Sequence, residues 1–215
     1  MNVRLAVYLA ASLLVGMIAR EYARSLVASR LHDPTPRLWG RLTLNPKSWF
    51  EPFGSGVLPA LILLLWATGS TFLPPPVAYA KPAPVDPSYF RNRTRDTVLA
   101  ALSGPSANLA LAAVAGLALR AGASGQAGLA ALAFMLTNLS LTVFHLVPIP
   151  GLDGARILAL ALPTRAAEVY RNADQYLPLI VLVVLFLFAG PLIAIVRSLT
   201  DSLCTLLAGL TCYGT

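Results

Sequence analysis

Two arginines four residues apart flank a glutamate in the segment Arg20-Glu21-Tyr22-Ala23-Arg24. On a helix, side chains at this spacing lie on one face, with Cβ atoms about 5–6 Å apart. The spacing is also that of the His-Glu-x-x-His pattern, in which two histidines hold Zn²⁺ and the glutamate is a general base. A guanidinium group has no lone pair to give to a metal, but it pairs strongly with carboxylates. The segment therefore favours ion pairing over metal binding.

The composition indicates an integral membrane protein. Hydrophobic residues make up 57% of the 215 residues, charged residues only 12%, and the mean hydropathy is +0.70. Soluble domains carry about 25% charged residues. The net charge of +7 does not indicate a nucleic-acid partner, because the basic residues flank apolar segments. We expect one membrane domain over residues 1–215, with a C-terminal tail at residues 198–215.

Apolar runs predict an all-α polytopic bundle of about four to six membrane segments. The first run continues through the charged block to Ala28, and no small-x-small cleavage site follows it, so we expect a helix and not a signal peptide. The remaining runs are residues 57–73, Thr97–Leu119, Ala127–Val147 and Tyr176–Val196.

The connecting segments carry prolines and basic residues. Leu38–Leu44 predicts a short strand in the loop 30–55, and the prolines of residues 74–87 predict an extended loop. Basic residues cluster in 20–50, 81–95 and 156–171, which places these segments in the cytoplasm and both termini outside. The run 57–73 then has both ends on one side. We expect it to re-enter the membrane, the alternative being a full span with one loop that violates the rule.

Two cysteines lie near the C-terminus, Cys204 and Cys212. We interpret them as two small apolar residues. A disulfide is the alternative, if the tail lies on the oxidising side of the membrane.

Five stretches, in order and at matching spacing, resemble the site-2 protease family of intramembrane zinc metalloproteases. They lie between about residues 5 and 160 and are Arg20–Arg24, Gly40–Pro46, Ala80–Pro87, Gly104–Asn108 and Phe144–Gly154, the last of which contains Leu152-Asp153-Gly154. In the family, zinc-bound water hydrolyses a peptide bond within the membrane.

The resemblance implies a role for each charged position. Glu21 corresponds to the general base, Asp153 to the third zinc ligand, and Arg20 and Arg24 to the two histidine ligands that are missing. His145 is a second departure, because it stands where the family usually has asparagine. These positions are degenerate, so we expect no active catalysis and no zinc or other cofactor.

An ion cluster is the expected replacement for the metal. Arg20 or Arg24, or both, should contact Asp153, because an unpaired buried charge costs several kcal/mol. This contact would tie the first helix to the segment after the fourth span. The alternatives are ordinary arginines that extend to the membrane surface, and a weak metal site formed by Glu21, His145 and Asp153.

Four other residues are candidates for binding a substrate or partner. Asn108 is expected to form an interhelical hydrogen bond or to position a substrate backbone. His145 either contributes to the site or bonds a backbone group at a helix end. Pro82 and Pro84 lie in the extended loop, which either pairs with a substrate strand or closes the cavity.

The resemblance implies a catalytically inactive homologue that binds or scaffolds membrane segments or partner proteins. Its expected contacts are membrane lipids and a transmembrane segment of another protein, and its expected location is the plasma membrane. Two alternatives remain: an active zinc protease with an atypical site, and a structural subunit of a larger membrane complex. Fold alone does not choose among them.

Overall fold

The long apolar runs of the sequence form long helices. The structure is a computed structural model that describes residues 3–68, 74–187 and 189–213. Its α-helices are α1 (Val3–Arg30), α2 (Thr35–Leu38), α3 (Leu58–Ala67), α4 (Arg93–Arg120), α5 (Gly125–Leu146), α6 (Asp153–Leu158), α7 (Thr164–Asn172), α8 (Leu177–Leu187) and α9 (Ala189–Ala208). A π-helical turn (Pro52–Val57) and 3₁₀ turns (Pro46–Trp49, Pro87–Tyr89, Ala173–Tyr176) connect them.

Four of these helices are long and apolar enough to cross a bilayer: Arg4–Arg30, Arg93–Arg120, Gly125–Leu146 and Gly190–Ala208. A crossing needs about 20 residues. The described residues contain no strand, so the prediction of an all-α polytopic membrane protein is confirmed.

Small residues bring α1, α4 and α5 close together. A Cβ atom added to Gly16 on α1 would lie 2.7 Å from a Leu141 methyl carbon and 2.9 Å from the Asn138 side-chain oxygen, both on α5. A Cβ added to Gly104 on α4 would lie 2.9 Å from Cγ of Arg20. Such close approach is typical of helix contacts in membranes, where van der Waals packing drives helix association because the hydrophobic effect does not act between helices in lipid.

Leu38–Leu44 is not a strand, and that prediction is wrong. Leu38 ends α2, whose first turn contains a proline, and Gly40 follows with a left-handed φ of +63°. Proline is common in the first turn of a helix, and a glycine in the left-handed conformation commonly follows the end of a helix. The chain therefore forms a short helix and a turn here, and not an extended strand.

The turn Pro52–Val57 leads into the run 57–73, whose first part forms α3, a helix of ten residues. Ten residues rise about 15 Å, half of the hydrocarbon core. Residues 69–73 of the run lie outside the described residues, so re-entry stays a prediction.

The last apolar part of the chain differs from the expected span Tyr176–Val196. It contains α8 and α9, and α9 continues to Ala208, so residues 198–208 of the expected tail are helical. Polar side chains of α9 bond to their own helix: Ser202 donates to the Ser198 carbonyl at 2.9 Å, and Thr205 donates to the Asp201 carbonyl at 2.9 Å. These hydroxyls are thus satisfied within the helix, which extends beyond the apolar run.

Cys204 and Cys212 form a disulfide with a Cα–Cα distance of 5.9 Å, so our interpretation of them as two separate apolar side chains is wrong. Gly209, with φ of +74°, turns the chain back after α9. The Asp201 carboxylate then accepts from the backbone N–H groups of Cys212 at 2.9 Å and Tyr213 at 3.1 Å, which fixes the returning segment beside the helix.

Candidate functional site

Four charged side chains meet inside the bundle. Arg20 places Nη1 2.5 Å from Glu21 Oε1 and Nη2 2.6 Å from Asp153 Oδ2. Arg24 Nη1 lies 3.3 Å from Asp153 Oδ1 and 3.8 Å from Glu21 Oε2. We call these four residues the ion cluster. The expectation that an arginine of α1 contacts Asp153 is confirmed, and both arginines do so.

The turn between α5 and α6 places Asp153 in the ion cluster. Gly151 adopts a left-handed φ of +91° after the α5 helix has ended, and Leu152, 1% exposed, anchors the turn in the apolar core. A Cβ added to Gly154 would lie 2.1 Å from the Leu146 carbonyl oxygen. Only glycine allows α6 to start this close to the end of α5, so Leu-Asp-Gly is a packing requirement as well as a chemical one.

The ion cluster is sealed from solvent. Arg20, Glu21, Arg24 and Asp153 are each 0–2% exposed. Two positive and two negative side chains give a formal charge of zero, so the buried charges compensate one another, as they must in a low-dielectric interior. Gly104 contributes from the side, since its missing side chain leaves room for Arg20 and Asp153.

The ionised state of Asp153 follows from its neighbours. Burial acts to raise the pKa of Asp153, which lies in α6 outside the four spanning helices, but the charges of Arg20 and Arg24 outweigh it and lower this pKa from 3.8 to about 2. A lowered carboxyl pKa contributes stability above the unfolded-state value and loses it as pH falls through the folded-state value. The stability that the pairing of Asp153 contributes is therefore complete from neutral pH down to about pH 4, and it is lost as pH falls further to about 2.

The extended loop closes the ion cluster with its backbone. Ala83 N–H donates to Glu21 Oε2 at 3.0 Å, and Arg24 Nη2 donates to the Ala83 carbonyl at 2.6 Å. In Pro82-Ala83-Pro84 the alanine supplies the one backbone N–H of the three residues. Ala83 is buried, whereas Pro82 is exposed and Pro84 is half-buried. The prediction of a loop in this region is confirmed, since residues 74–86 have no helix or strand.

His145 contacts the same loop. Its Nε2 lies 3.0 Å from the Ala78 carbonyl, and the side chain is 1% exposed. The structure thus agrees with the expectation of a backbone hydrogen bond, although the acceptor belongs to the loop and not to the end of the histidine's own helix.

Asn108 is fully buried, but neither of its amide atoms has a hydrogen-bond partner among the described residues. The expected interhelical hydrogen bond is therefore not found. Two polar side chains of α5 donate to their own helix: Asn138 to the Phe134 carbonyl at 2.9 Å and Thr142 to the Asn138 carbonyl at 2.8 Å. These two donors are satisfied without Asn108, although Oδ1 of Asn138 has no partner among the described residues.

Zinc does not fit the ion cluster. Tetrahedral zinc takes nitrogen, sulfur or oxygen lone pairs. Positions 20 and 24 present only N–H donors, and both oxygens of Asp153 already accept from them. In the described part of the chain no three His, Cys, Asp or Glu side chains are grouped so that they could hold a metal ion.

Sequence reasoning missed the backbone groups of Ala78 and Ala83, which bond His145 and the ion cluster. Main-chain groups leave no signal of their own in residue types. The flanking prolines of Ala83 were an indirect signal, because they isolate its N–H.

Comparison with known proteins gives relatives of one kind. The chain is 32% identical over 189 residues to "Putative zinc metalloprotease YwhC" of Bacillus subtilis. The aligned region covers 83% of this chain and 80% of that protein. It is 34% identical over 179 residues to "Putative zinc metalloprotease Rip2" of Mycobacterium tuberculosis and 31% identical over 177 residues to the Mycolicibacterium smegmatis protein of that name. The chain spans 64% of the length of each Rip2 protein. No family profile and no solved structure matches it.

Proposed function

Because this chain belongs to the site-2 protease family of membrane zinc metalloproteases, as a member with Arg-Glu-x-x-Arg in place of His-Glu-x-x-His, we propose that it is a catalytically inactive homologue. In this proposal the ion cluster takes the place of the zinc site. The protein uses the fold to bind or scaffold membrane segments or partner proteins, and it does not cut them.

The observation that carries the proposal is that Asp153 pairs with both arginines. Each of its oxygens accepts from a different arginine, at 2.6 Å and 3.3 Å. A metal ion at this position would have to displace two permanent cations, which repel it electrostatically. Positions 20 and 24 carry arginine and no residue that could give a lone pair to a metal ion.

The extended loop also supports a binding function. Its backbone is bonded to the ion cluster through Ala83 and to the loop before α3, where Tyr79 N–H donates to the Gly54 carbonyl at 3.1 Å and Lys81 N–H to the Trp49 carbonyl at 2.9 Å. Because the loop is held at this many points, we infer that it closes the ion cluster and does not pair with a substrate strand. Exposed Pro82 is then a contact point for a partner and not part of a cleavage site.

The partner in this proposal is a transmembrane segment or another membrane protein, within the plasma membrane. Outward-facing apolar side chains on the spanning helices, such as Val114 at 67% and Leu117 at 65% exposure, supply a surface for lipid or for such a segment. The proposal includes no resident cofactor.

The decisive experiment restores both histidines with Arg20→His and Arg24→His. We expect purified wild-type protein to contain no stoichiometric zinc and to leave transmembrane peptides uncut. Zinc in the double variant would show that Glu21 and Asp153 still surround a usable cavity, whereas a zinc-free variant would show that the loop and the ion cluster have remodelled it. Arg30→His with Arg37→His, a matched change at exposed positions, serves as the control.

Two outcomes for the wild-type protein would overturn the proposal. Stoichiometric zinc, or peptide cleavage that a chelator abolishes, would favour the active protease with an atypical site. Copurification with fixed membrane partners, undisturbed when the loop is altered at Pro82 and Pro84, would favour a structural subunit of a larger complex.

A further inference from the structure

A cavity of about 250 Å³ opens beside the ion cluster, between the first three turns of α4 and the helices α6 and α7. One part of its wall is charged and the other is apolar. The polar wall contains Arg24, Arg93, Arg156, Thr97, Tyr170 and Asp174. The apolar wall includes Val85, Ala100, Ala101, Ala159 and Leu160.

The cavity carries an excess of positive charge. Arg24 is neutralised inside the ion cluster, so Arg93, Arg156 and Asp174 set the balance, and it is positive by one unit. Asp174 is only a distant partner of Arg156, with 3.8 Å between the charged atoms, and it also accepts from Gly151 N–H at 2.6 Å. No salt bridge joins Arg93 to a carboxylate among the described residues, and Nε of Arg156 has no hydrogen-bond partner there.

The arginines also act on one another. The charge of Arg24, together with burial, lowers the pKa of Arg156 to about 10. An anion placed in the cavity would be stabilised by the positive charges of Arg156 and Arg93. The Arg156 side chain is 24% exposed, so it is accessible from the cavity mouth.

The cavity lies at the N-terminal end of α4, a helix that is long and apolar enough to cross a membrane. Arg93 is the first residue of a spanning helix, and the other lining residues of α4 lie within its first nine residues. A position at the end of a span is where phospholipid headgroups lie, and basic pockets between spanning helices are known to bind anionic headgroups.

We propose that this cavity binds the phosphodiester headgroup of an anionic phospholipid, with Arg93 and Arg156 holding the phosphate oxygens. Arginine recognises phosphate through paired N–H donors. One net positive charge in the cavity matches the single negative charge of a phosphodiester. The apolar wall accommodates the glycerol and the first carbons of an acyl chain, which a free phosphate ion would leave unfilled.

The test is lipid titration of the purified full chain in detergent, with bound lipid counted by native mass spectrometry. Phosphatidylglycerol and phosphatidylcholine with the same acyl chains are compared, because they share the phosphodiester and differ in net charge. We expect one phosphatidylglycerol to bind about tenfold more tightly than phosphatidylcholine. Arg93→Gln and Arg156→Gln should each weaken it about tenfold, the effect of losing about 1.4 kcal/mol.

Arg91→Gln is the matched control, since it removes the same charge two residues from Arg93 at an exposed position outside the cavity wall. It should change binding less than twofold. An equal loss with Arg91→Gln would show a diffuse surface charge effect and overturn the site. Binding of inorganic phosphate alone that is lost in Arg93→Gln, without a preference for phosphatidylglycerol, would assign the cavity to a free anion and overturn the lipid proposal. Arg93 is exposed, so its variant keeps the test valid if Arg156→Gln lowers stability.

Discussion

At the residue scale, the Arg20 guanidinium group brings the carboxylates of Glu21 and Asp153 together. Arg20 reaches Glu21 and Asp153 with different nitrogens, and Arg24 adds a second contact to each. The buried charges are thereby paired, and each group makes hydrogen bonds, which favours the burial of ions. Nε of Arg20 and Nε of Arg24 have no partner among the described residues.

Removing one arginine should be strongly destabilising. Arg20→Met leaves three buried charges with a net negative sign, and breaking a buried pair in this way costs about 3–5 kcal/mol. Thermal unfolding in detergent should show this loss. The exposed Arg30→Met is the control and should shift the midpoint little.

Removing a balanced pair should cost less than the sum of its parts. In the double variant Arg20→Met with Asp153→Leu, Arg24 and Glu21 remain as a neutral pair. We expect the double variant to be at least 1–2 kcal/mol more stable than the two single losses predict, as coupled neighbours usually show. Additive single losses would mean that the two groups do not stabilise each other.

At the element scale, two short segments fix the relation between helices. The turn before α6 positions Asp153 against α1, and the returning chain after α9 is tied to that helix by the disulfide. Both depend on glycine in a left-handed conformation, Gly151 and Gly209.

Gly154→Ala should disrupt the α5–α6 turn. Its new methyl would lie 2.1 Å from the Leu146 carbonyl oxygen, so α6 must move and take Asp153 with it. We expect a loss of about 2 kcal/mol or more, in the upper range for overpacking. Gly56→Ala, whose Cβ would meet only ring atoms of Phe50 at 3.8 and 3.9 Å, should unfold at nearly the wild-type temperature.

Opening the disulfide should loosen the end of α9. The bridge spans eight residues in sequence, and a loop of this size contributes about 2–3 kcal/mol in the chain-entropy description. Dithiothreitol should lower the unfolding midpoint of the wild-type protein, and Cys204→Ala with Cys212→Ala should already unfold at the lowered temperature. A reductant effect in that double variant would contradict this explanation.

At the scale of the whole molecule, the basic loop before α4 and the disulfide lie at opposite ends of that helix. Arg93 starts α4, whereas Arg120 ends it and donates to the carbonyls of Leu206 and Leu207 beside the disulfide, at 2.8 Å and 2.5 Å. The 28 residues of α4 rise about 42 Å. Disulfides form outside the cytoplasm, and basic loops stay within it, so both features predict the same orientation.

Cysteine labelling tests this orientation. In a Cys204→Ala, Cys212→Ala background, we expect Ser124→Cys to react with a membrane-impermeant maleimide in intact cells. Ser88→Cys should react only after lysis. Both serines are exposed, so equal reactivity in intact cells, or the reverse pattern, would contradict the predicted orientation.

The sequence carried most of the site because its residues are chemically distinctive. Arg20, Glu21, Arg24 and Asp153 are rare ionisable groups in an apolar chain, and such groups need partners inside a membrane. The hydrogen bonding of Asn108 and the pairing of the two cysteines were harder to predict, since both depend on where other elements of the fold lie. The strand at Leu38–Leu44 was predicted from local pattern alone, and local proline and glycine chemistry decided against it.

What the sequence by itself determined was the membrane-spanning helical class, the family, and the replacement of two metal ligands by cations, because hydropathy and residue chemistry are local properties. Only the tertiary structure decided that Asp153 lies between both arginines, that the Ala83 backbone closes the ion cluster, and that Cys204 meets Cys212. These contacts join residues far apart in the chain or across a turn, and their distances are set by helix packing, which residue order alone does not specify.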